Sequence, residues 1–584
     1  MTKLFSSFLP LLLLVCTIAL GQTKAPVNIN ISKSDLEKAG TSIPIEMIGE
    51  PVGSVKLYEP RWVEETDDTP AHGVIEGSIF SVDPNGWPIN FRVILPSIWS
   101  QRAMQTGGGG MNGTITVREG RNSMLNKGFS LYGSDSGHQA GAMWPGAPAP
   151  EHLATGPEEG DVWALNDEAI MNMGYMQMKK THDAAMVIME RVYGKQPVYN
   201  YYVGSSHGGR EGLTVAQRYP KDYNGIISNV PIVNFSSLML APELMKIQEK
   251  PLENWVTPAK VNAIRAEFFR QCDALDGLAD GIINNYYAAR AIFNVKDGVG
   301  PKDPWAALRA PGNVDPDPED NSVNAKLTDG QIKTMEFVYS PYEFATPLAN
   351  GVKSFGMWIP TISPDGFGMI TGNRYKGQEG ADENAKKHFS LGTLGVTGFL
   401  MQDLEANTLD YVEGGKWNKR REELSAWLDS TDPDLTEFYN NGGKIIITIG
   451  GMDNIASSGA QIDYYQSLLD KFGRKTIDKF ARMYVAPHGG HGLSGKSNSV
   501  NGLGEPVDVK NLPGPNGDDN MKLLMEWVEE NKAPSKTLVI DPQGKIKTEK
   551  EGEGYLLCSY PNYQKYVDGP VDQVSSYESE APKK

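Results

Sequence analysis

Residues 199–212 read YNYYVGSSHGGREG and set two adjacent serines in a glycine-rich corner, between an aromatic and β-branched run and a helix-forming segment. Gly204-Ser205-Ser206-His207-Gly208 fits the spacing G-x-S-x-G with Ser206 at its centre. The spacing has a steric reason. A serine held on a sharp strand-to-helix turn needs small residues two places either side so that the chain turns without collision. Its hydroxyl then stands above the sheet, and the helix that follows offers partial positive charge to a developing oxyanion. Ser205 fits less well, because it would put Val203 and His207 where the glycines belong. The plain alternative is a glycine-rich turn that contains serines by chance.

A serine hydroxyl is a poor nucleophile until a base takes its proton, and that base is held by an acid. On this kind of corner the chain order is serine, acid, histidine, the last two each following a late strand. Asp453 follows KIIITIGGMD and His491 follows RMYVAPHGGH, so both stand where the order puts them. His488 competes as the base from the same loop. His207 and His138 are further alternatives, although the side chain of His207 should point away from the hydroxyl beside it. The backbone N–H of His207 is placed to form half of an oxyanion hole, and the glycines at 107–110 supply the other half, from Gly109 or Gly110.

A second constellation lies in CDALDGLADGIIN (272–284), where Asp273, Asp276 and Asp280 share one short loop with Gly277 and Gly281. Carboxylates so close repel one another unless a hard cation neutralises them, and oxygen ligands at this spacing suit Ca²⁺, although the pattern is not that of an EF-hand. A solvated acidic turn is the competing reading.

The elements that must position these groups follow from periodicity. WPINFRVILPSIWSQRAMQTGGGG (87–110) reads as strand, turn, strand and tight loop, and FSLYGSDSGH (129–138) as a further strand. A helical pattern runs from about Asn166 to Tyr193, its methionines most simply core packing. Strand, turn, helix and strand then recur around Ser206, the unit of a parallel sheet. Late strands at 442–451 and 481–492 imply a sheet interrupted by an insertion over 231–436, rich in Pro, Gly, Asp and Asn and carrying Trp255, Trp305, Trp358, Trp417 and Trp427. The expected organisation is a signal peptide at 1–21, a core in two parts at 22–230 and 437–570, the insertion between them, and a frayed polar tail at 571–584.

The opening MTKLFSSFLPLLLLVCTIALGQ has a short basic region at Lys3, an apolar run and small residues at Ala19 and Gly21, as an export signal cut after Gly21 would. Lipid attachment at Cys16 fits less well, since Val15 is bulky and the apolar run continues past the cysteine. No other stretch reaches the roughly 18 apolar residues of a membrane span. The formal charge of -17 becomes -18 without Lys3, a surface that repels nucleic acid and anionic membranes. Export leaves Cys272 and Cys558, free or joined in one bridge.

Taken together, seven segments in order resemble the tannase and feruloyl esterase family of α/β-hydrolases, which also includes hydrolases of mono(hydroxyethyl) terephthalate. TGGGGMNG looks like its oxyanion loop, GSDSGH like its Thr-Asp-Thr-Gly-His segment, GSSHGGRE like its nucleophile elbow, and CDALDGLADGII like the calcium loop of its lid. DPDLTEFYNNGGKIIITIGGMD looks like its acid segment, VAPHGGHGLSG like its histidine loop and LLCSYPNYQKY like its C-terminal motif. The resemblance implies an α/β-hydrolase core with a large inserted lid between nucleophile and acid. It implies Ser206 as nucleophile, Asp453 as acid and His491 as base, acting on small or plant-derived esters of aromatic acids such as galloyl or hydroxycinnamoyl esters. It also implies a structural calcium held by Asp273, Asp276, Asp280 and the backbone carbonyls of Leu278 and Ile282, with no organic cofactor.

One departure is systematic. The family usually carries a cysteine directly before the serine and another directly after the histidine, joined by a disulfide; here Ser205 and Gly492 stand at those places. Two other readings keep the same residues: a serine peptidase of this fold, and a catalytically silent ligand-binding homologue.

Overall fold

A computed structural model describes residues 27–118, 122–139, 150–158, 160–296, 300–360 and 372–582. The export segment and Cys16 lie outside the described residues. Thirteen described strands form one mixed sheet: β1 (Ser54–Leu57), β2 (Arg61–Val63), β3 (His72–Phe80), β4 (Ile89–Pro96), β5 (Arg102–Thr106), β6 (Phe129–Ser134), β7 (Tyr199–Ser205), β8 (Gly225–Asn229), β9 (Lys444–Gly450), β10 (Ala481–Ala486), β11 (Thr537–Ile540), β12 (Ile546–Lys547) and β13 (Tyr555–Ser559). Across the sheet they run β12-β11-β13-β10-β9-β8-β7-β5-β6-β4-β3-β1, with β2 paired to β3.

The six strands from β6 to β10 in that order are parallel, and both flanks are antiparallel. The sequence explains the difference. β9, KIIITIG, is buried from Ile445 onward and β10 is buried throughout, as strands covered by helices on both faces must be. β1 alternates exposed and buried residues, as an edge strand with one wet face does. Helix α1 (Gln177–Tyr193) buries its apolar stripe against one flank, with Ala184, Ala185, Ile188 and Met189 fully covered.

The helical pattern expected from 166 to 193 is present but not continuous. A short α-turn (Asp167–Met171) passes through a π-turn (Asn172–Met176) before α1 begins. Arg210 accounts for the irregularity: its guanidinium donates to the carbonyls of Met173 and Gly174 at 3.0 and 2.6 Å, and a π-turn leaves such carbonyls free of their regular partners.

β8 and β9 are neighbours in the sheet, so the chain leaves after Asn229 and returns at Lys444 into the adjacent place. The residues between build a separate apolar cluster from helices α3 (Phe235–Gln248) and α4 (Val261–Cys272) with Trp305, Tyr339, Trp358 and Phe399. Trp163 and Met111 of the strand-bearing part join that cluster. Trp305 packs edge-on against Phe268 and Phe293, and it and Trp358 are buried core residues. Trp255, Trp417 and Trp427 are half-buried under Arg374, Lys416 and Arg420.

The expected frayed tail is instead ordered through Glu580. Tyr577–Glu580 pairs antiparallel with Tyr563–Tyr566, because Val574 and Tyr577 bury themselves against Leu556 and Cys558. Composition hid this: two apolar anchors are enough to order a polar strand. Cys272 and Cys558 are both buried and unpaired. Among the described residues no helix is long and apolar enough to cross a membrane.

Candidate active site

β7, β9 and β10 are parallel, so their carboxyl ends lie on one edge of the sheet, and Ser206, Asp453 and His491 follow those ends. Ligand sites of open parallel sheets lie on that edge.

Ser206 caps helix α2 (His207–Arg218) at φ 62° and ψ −120°, a backbone conformation that a side-chain-bearing residue adopts only when its surroundings force it. The forcing contacts are visible. A Cβ on Gly204 would lie 2.2 Å from the Gly208 carbonyl oxygen, and one on Gly208 would lie 2.9 Å from the backbone of Gly107 and Gly108. Both flanking glycines of G-x-S-x-G are thus close-approach positions. Ser206 N–H donates to Asn229 O at 2.9 Å, tying the elbow to the end of β8. Ser205, the weaker candidate, points to solvent, while Ser206 is half-buried.

Asp453 is fully buried; its Oδ1 accepts the N–H groups of Ile455 and Ala456 at 2.8 and 2.9 Å. Both its oxygens also face His491 Nδ1, at 3.0 and 2.9 Å. That contact fixes the imidazole with Nδ1 toward the acid, leaving Nε2 as the outward nitrogen. Two backbone bonds stitch the loops together: Gly451 N–H to Ala486 O, and Met452 N–H to Gly489 O, each 2.8 Å.

The competing histidines have other surroundings. His488 is buried, edge-on to Tyr555 at 4.4 Å, and burial pushes its pKa down to about 3. His138 lies flat on Trp163, 3.6 Å away, with Nε2 at 2.8 Å from the Met111 carbonyl. The His207 ring is buried beneath the elbow beside Phe235 and Glu211, as its predicted orientation away from the hydroxyl requires. Of these four histidines, His491 is the one that meets Asp453.

In the glycine loop, Gly107 N–H is held by Val203 O at 3.0 Å and Gly108 N–H by Glu211 Oε2 at 3.0 Å. Gly109 and Gly110 follow, Gly110 at φ +60°, and the space where a Cβ of Gly109 would stand is empty to 4 Å. A cleft of about 780 Å³ between Tyr287, Arg290, Asp463 and Tyr560 is lined by none of the three triad candidates, so geometry rather than volume locates this site.

At the carboxylate loop, Asp273 accepts N–H groups from Gly281, Ile282 and Gly502. Asp276 accepts from Leu278 and from the Asn284 amide; burial, then the neighbouring carboxylates, raises its pKa to about 7. Asp280 pairs with Lys510 through Oδ2 at 3.2 Å, and its buried Oδ1 has no partner among the described residues. The one unserved oxygen, Asp280 Oδ1, beside Asp276, is the feature that fits a cation here. Asp273 is instead occupied with backbone N–H groups, and the three do not bring oxygens within 4.8 Å of one another. A trio that does, His182, Asp183 and Asp222, was not foreseen from sequence; Lys179 Nζ stands 2.9 and 2.8 Å from its two carboxylates and supplies the positive charge there.

Comparison with known proteins adds to this geometry. The family described as tannase and feruloyl esterase matches residues 73–580. The chain belongs to that family. It is 31% identical over 557 residues to an uncharacterized esterase of Agrobacterium fabrum, covering 92% of this chain and 91% of that one. It is 24% identical over 568 residues to the mono(2-hydroxyethyl) terephthalate hydrolase of Piscinibacter sakaiensis, covering 88% and 85%. Among solved structures, feruloyl esterase B from Aspergillus oryzae superposes with a TM-score of 0.66 at 20% identity, over 91% of this chain and 98% of that one. At that identity the likeness speaks for the fold, an α/β-hydrolase. As a member of the tannase and feruloyl esterase family, the chain is a carboxylic ester hydrolase.

Proposed function

We propose that this hydrolase cleaves esters of aromatic acids by a two-step acyl transfer centred on Ser206. The observation that carries the reading is the Asp453–His491 contact on the strand edge that also presents Ser206. Asp453 orients His491 and stabilises the imidazolium. His491 Nε2 takes the Ser206 proton as Oγ bonds to the ester carbonyl carbon. The oxyanion takes N–H donors from His207 and from Gly109 or Gly110. The C–O bond to the alcohol breaks, His491 returns the proton to the departing alkoxide, and the acyl group stays on Ser206. Water, deprotonated by His491, then attacks the acyl carbonyl, the bond from the acyl carbon to Ser206 Oγ breaks, and His491 returns its proton to Ser206 as the acid leaves.

The aromatic acyl preference rests on the family, described as tannase and feruloyl esterase, and on a relative named as a mono(2-hydroxyethyl) terephthalate hydrolase. Residues 231–436 serve in this reading as a lid that encloses the acyl group. Calcium held by Asp276 and Asp280, with Asp273 and the carbonyls of Leu278 and Ile282 around it, would brace the lid. Gly502 donates to Asp273 and Asn498 to Gly281, so the chain just beyond His491 is fastened to the same loop. The opening segment, with Lys3 before its apolar run and small residues at Ala19 and Gly21, supports export to the periplasm or the medium after cleavage near Gly21. Hydrolysis of methyl gallate, methyl ferulate, p-nitrophenyl acetate and a peptide anilide tests the reading. Turnover of an aromatic ester supports it, whereas cleavage of the anilide alone would replace it with the peptidase.

A further inference from the structure

Directly beneath the elbow, Glu211 is a fully buried carboxylate that the triad does not use. Its Oε2 accepts the Gly108 N–H at 3.0 Å and the Tyr202 hydroxyl at 2.8 Å; its Oε1 accepts the Gln177 amide at 2.8 Å. His207 Nε2 stands 3.3 Å from Oε1 and 3.1 Å from Arg210 Nη2. The nitrogen cannot donate to one and accept from the other at once. Arg210 Nη2 carries two N–H groups, enough for both the Met173 carbonyl and His207 Nε2, and Glu211 Oε1 lies against the same edge of the imidazole.

Both residues that flank the oxyanion position thus meet at one carboxylate. Gly108 directly precedes Gly109, and His207 carries the other N–H. The contact has no slack: a Cβ on Gly107 would lie 2.5 Å from Glu211 Oε2 and 2.6 Å from Gly208 Cα. At its far end the glycine loop is held separately, by His138 on the Met111 carbonyl and by Asn112 on Ser134 and Ser136.

We infer that Glu211 is a positioning residue, which fixes the glycine loop against the nucleophile elbow and so sets the distance between the two oxyanion donors. The inference rests on the proposed hydrolytic role of Ser206. What it needs from Glu211 is an acceptor at the right reach from α2, and the charge is secondary. Arg210 and His207 surround the carboxylate and hold its pKa below the ordinary value against burial.

Two variants separate reach from charge. In E211Q the amide oxygen still reaches the Gly108 N–H; in E211D the charge survives but the acceptor withdraws by one methylene. The full chain is assayed on its best aromatic ester, with rates counted per site titrated by a fluorophosphonate so that unfolded molecules drop out. Expected is E211Q within about 5-fold of the parent in kcat, and E211D down about 100-fold, with KM held within about 3-fold in both. That loss is the scale of one misplaced oxyanion donor, roughly 10²–10³-fold. An E211D enzyme as fast as the parent, or an E211Q enzyme as slow as E211D, would overturn the inference. Should E211D yield no titratable sites, Tyr202→Phe, which frees Oε2 from one of its two donors, is expected to lower kcat about 10-fold at constant KM, and an unchanged kcat overturns the inference. A parent that neither turns over an ester nor takes the fluorophosphonate sinks the hydrolytic reading instead, so the two failures are distinguishable.

Discussion

His488 and His491 lie on one loop, yet their surroundings make opposite claims on a proton, and replacing His488 with Leu separates them. His488 is buried without a charged partner among the described residues, and burial lowers its pKa from 6.5 to about 3. The folded state therefore holds it neutral, while the unfolded chain takes up a proton below pH 6.5. The stability it contributes is complete above pH 6.5 and is lost as pH falls toward 3. At about 1.4 kcal/mol per unit, the change from pH 7 to pH 4 amounts to roughly 3 kcal/mol for this one group. Urea unfolding followed by tryptophan fluorescence at both pH values measures it. The parent should lose about 3 kcal/mol more than His488→Leu over that interval, and the variant should keep its esterase activity at pH 7. Parallel pH dependence in the two proteins would refute the burial argument. Loss of catalysis in a folded His488→Leu protein would refute the choice of base.

Asp453→Asn keeps the bonds to Ile455 and Ala456 but turns an amide N–H toward His491 Nδ1, which forces the wrong tautomer. kcat measured on the preferred ester should fall by about 10⁴-fold with the fold intact by circular dichroism. Asp135, buried between Asn90, Gly137 and Gln139, has its pKa raised to about 7 by burial, so its sign is opposite to that of His488. The unfolded chain ionises it from about pH 4 while the folded state keeps it neutral, so stability falls as pH rises from 4 to 7. Denaturation curves of the parent and Asp135→Asn should converge or cross over that interval, with a differential change of up to about 4 kcal/mol. Removing Ca²⁺ with a chelator should lower Tm, and adding Ca²⁺ back should restore it. A chelator-insensitive Tm together with no Ca²⁺ in the purified protein by elemental analysis would return the Asp276 loop to a plain acidic turn.

The parts of the site legible in the sequence are those where backbone geometry dictates residue type. Gly204 and Gly208 had to be glycine because each lies against another backbone, and an apolar strand such as KIIITIG is recognisable because both its faces are buried. Its place beside β8, across an insertion of some 200 residues, follows from the parallel-sheet logic of the same strands. What sequence did not resolve depends on neighbours distant along the chain. His488 and His491 look alike until one is seen under Tyr555 and the other against Asp453. Glu211 stood inside the motif, but its bond to Gly108 joins residues 103 apart. The π-turn at 172–176 answers to Arg210, and the ordered strand at Tyr577 to contacts with Leu556 and Cys558, neither of which leaves a periodic trace. The insertion's tryptophans divided by packing alone, Trp305 and Trp358 into the core and the others under cationic side chains.

The disulfide usual in the family has no counterpart at Ser205 and Gly492, both of which are exposed. The main-chain bonds from Gly451 and Met452 tie the acid loop to the histidine loop, beside the Asp453–His491 side-chain contact. Ser206 is held by the close contacts of Gly204 and Gly208 and by its N–H bond to Asn229 O.

Hydrolysis of the ester panel by the parent chain and by Ser206→Ala, with fluorophosphonate incorporation counted by intact-protein mass spectrometry, is the most direct measurement. The expected result is turnover of an aromatic ester, one adduct per chain located at Ser206, and loss of both in Ser206→Ala. An adduct at another residue, or ester turnover that survives Ser206→Ala, would contradict the assignment of the nucleophile.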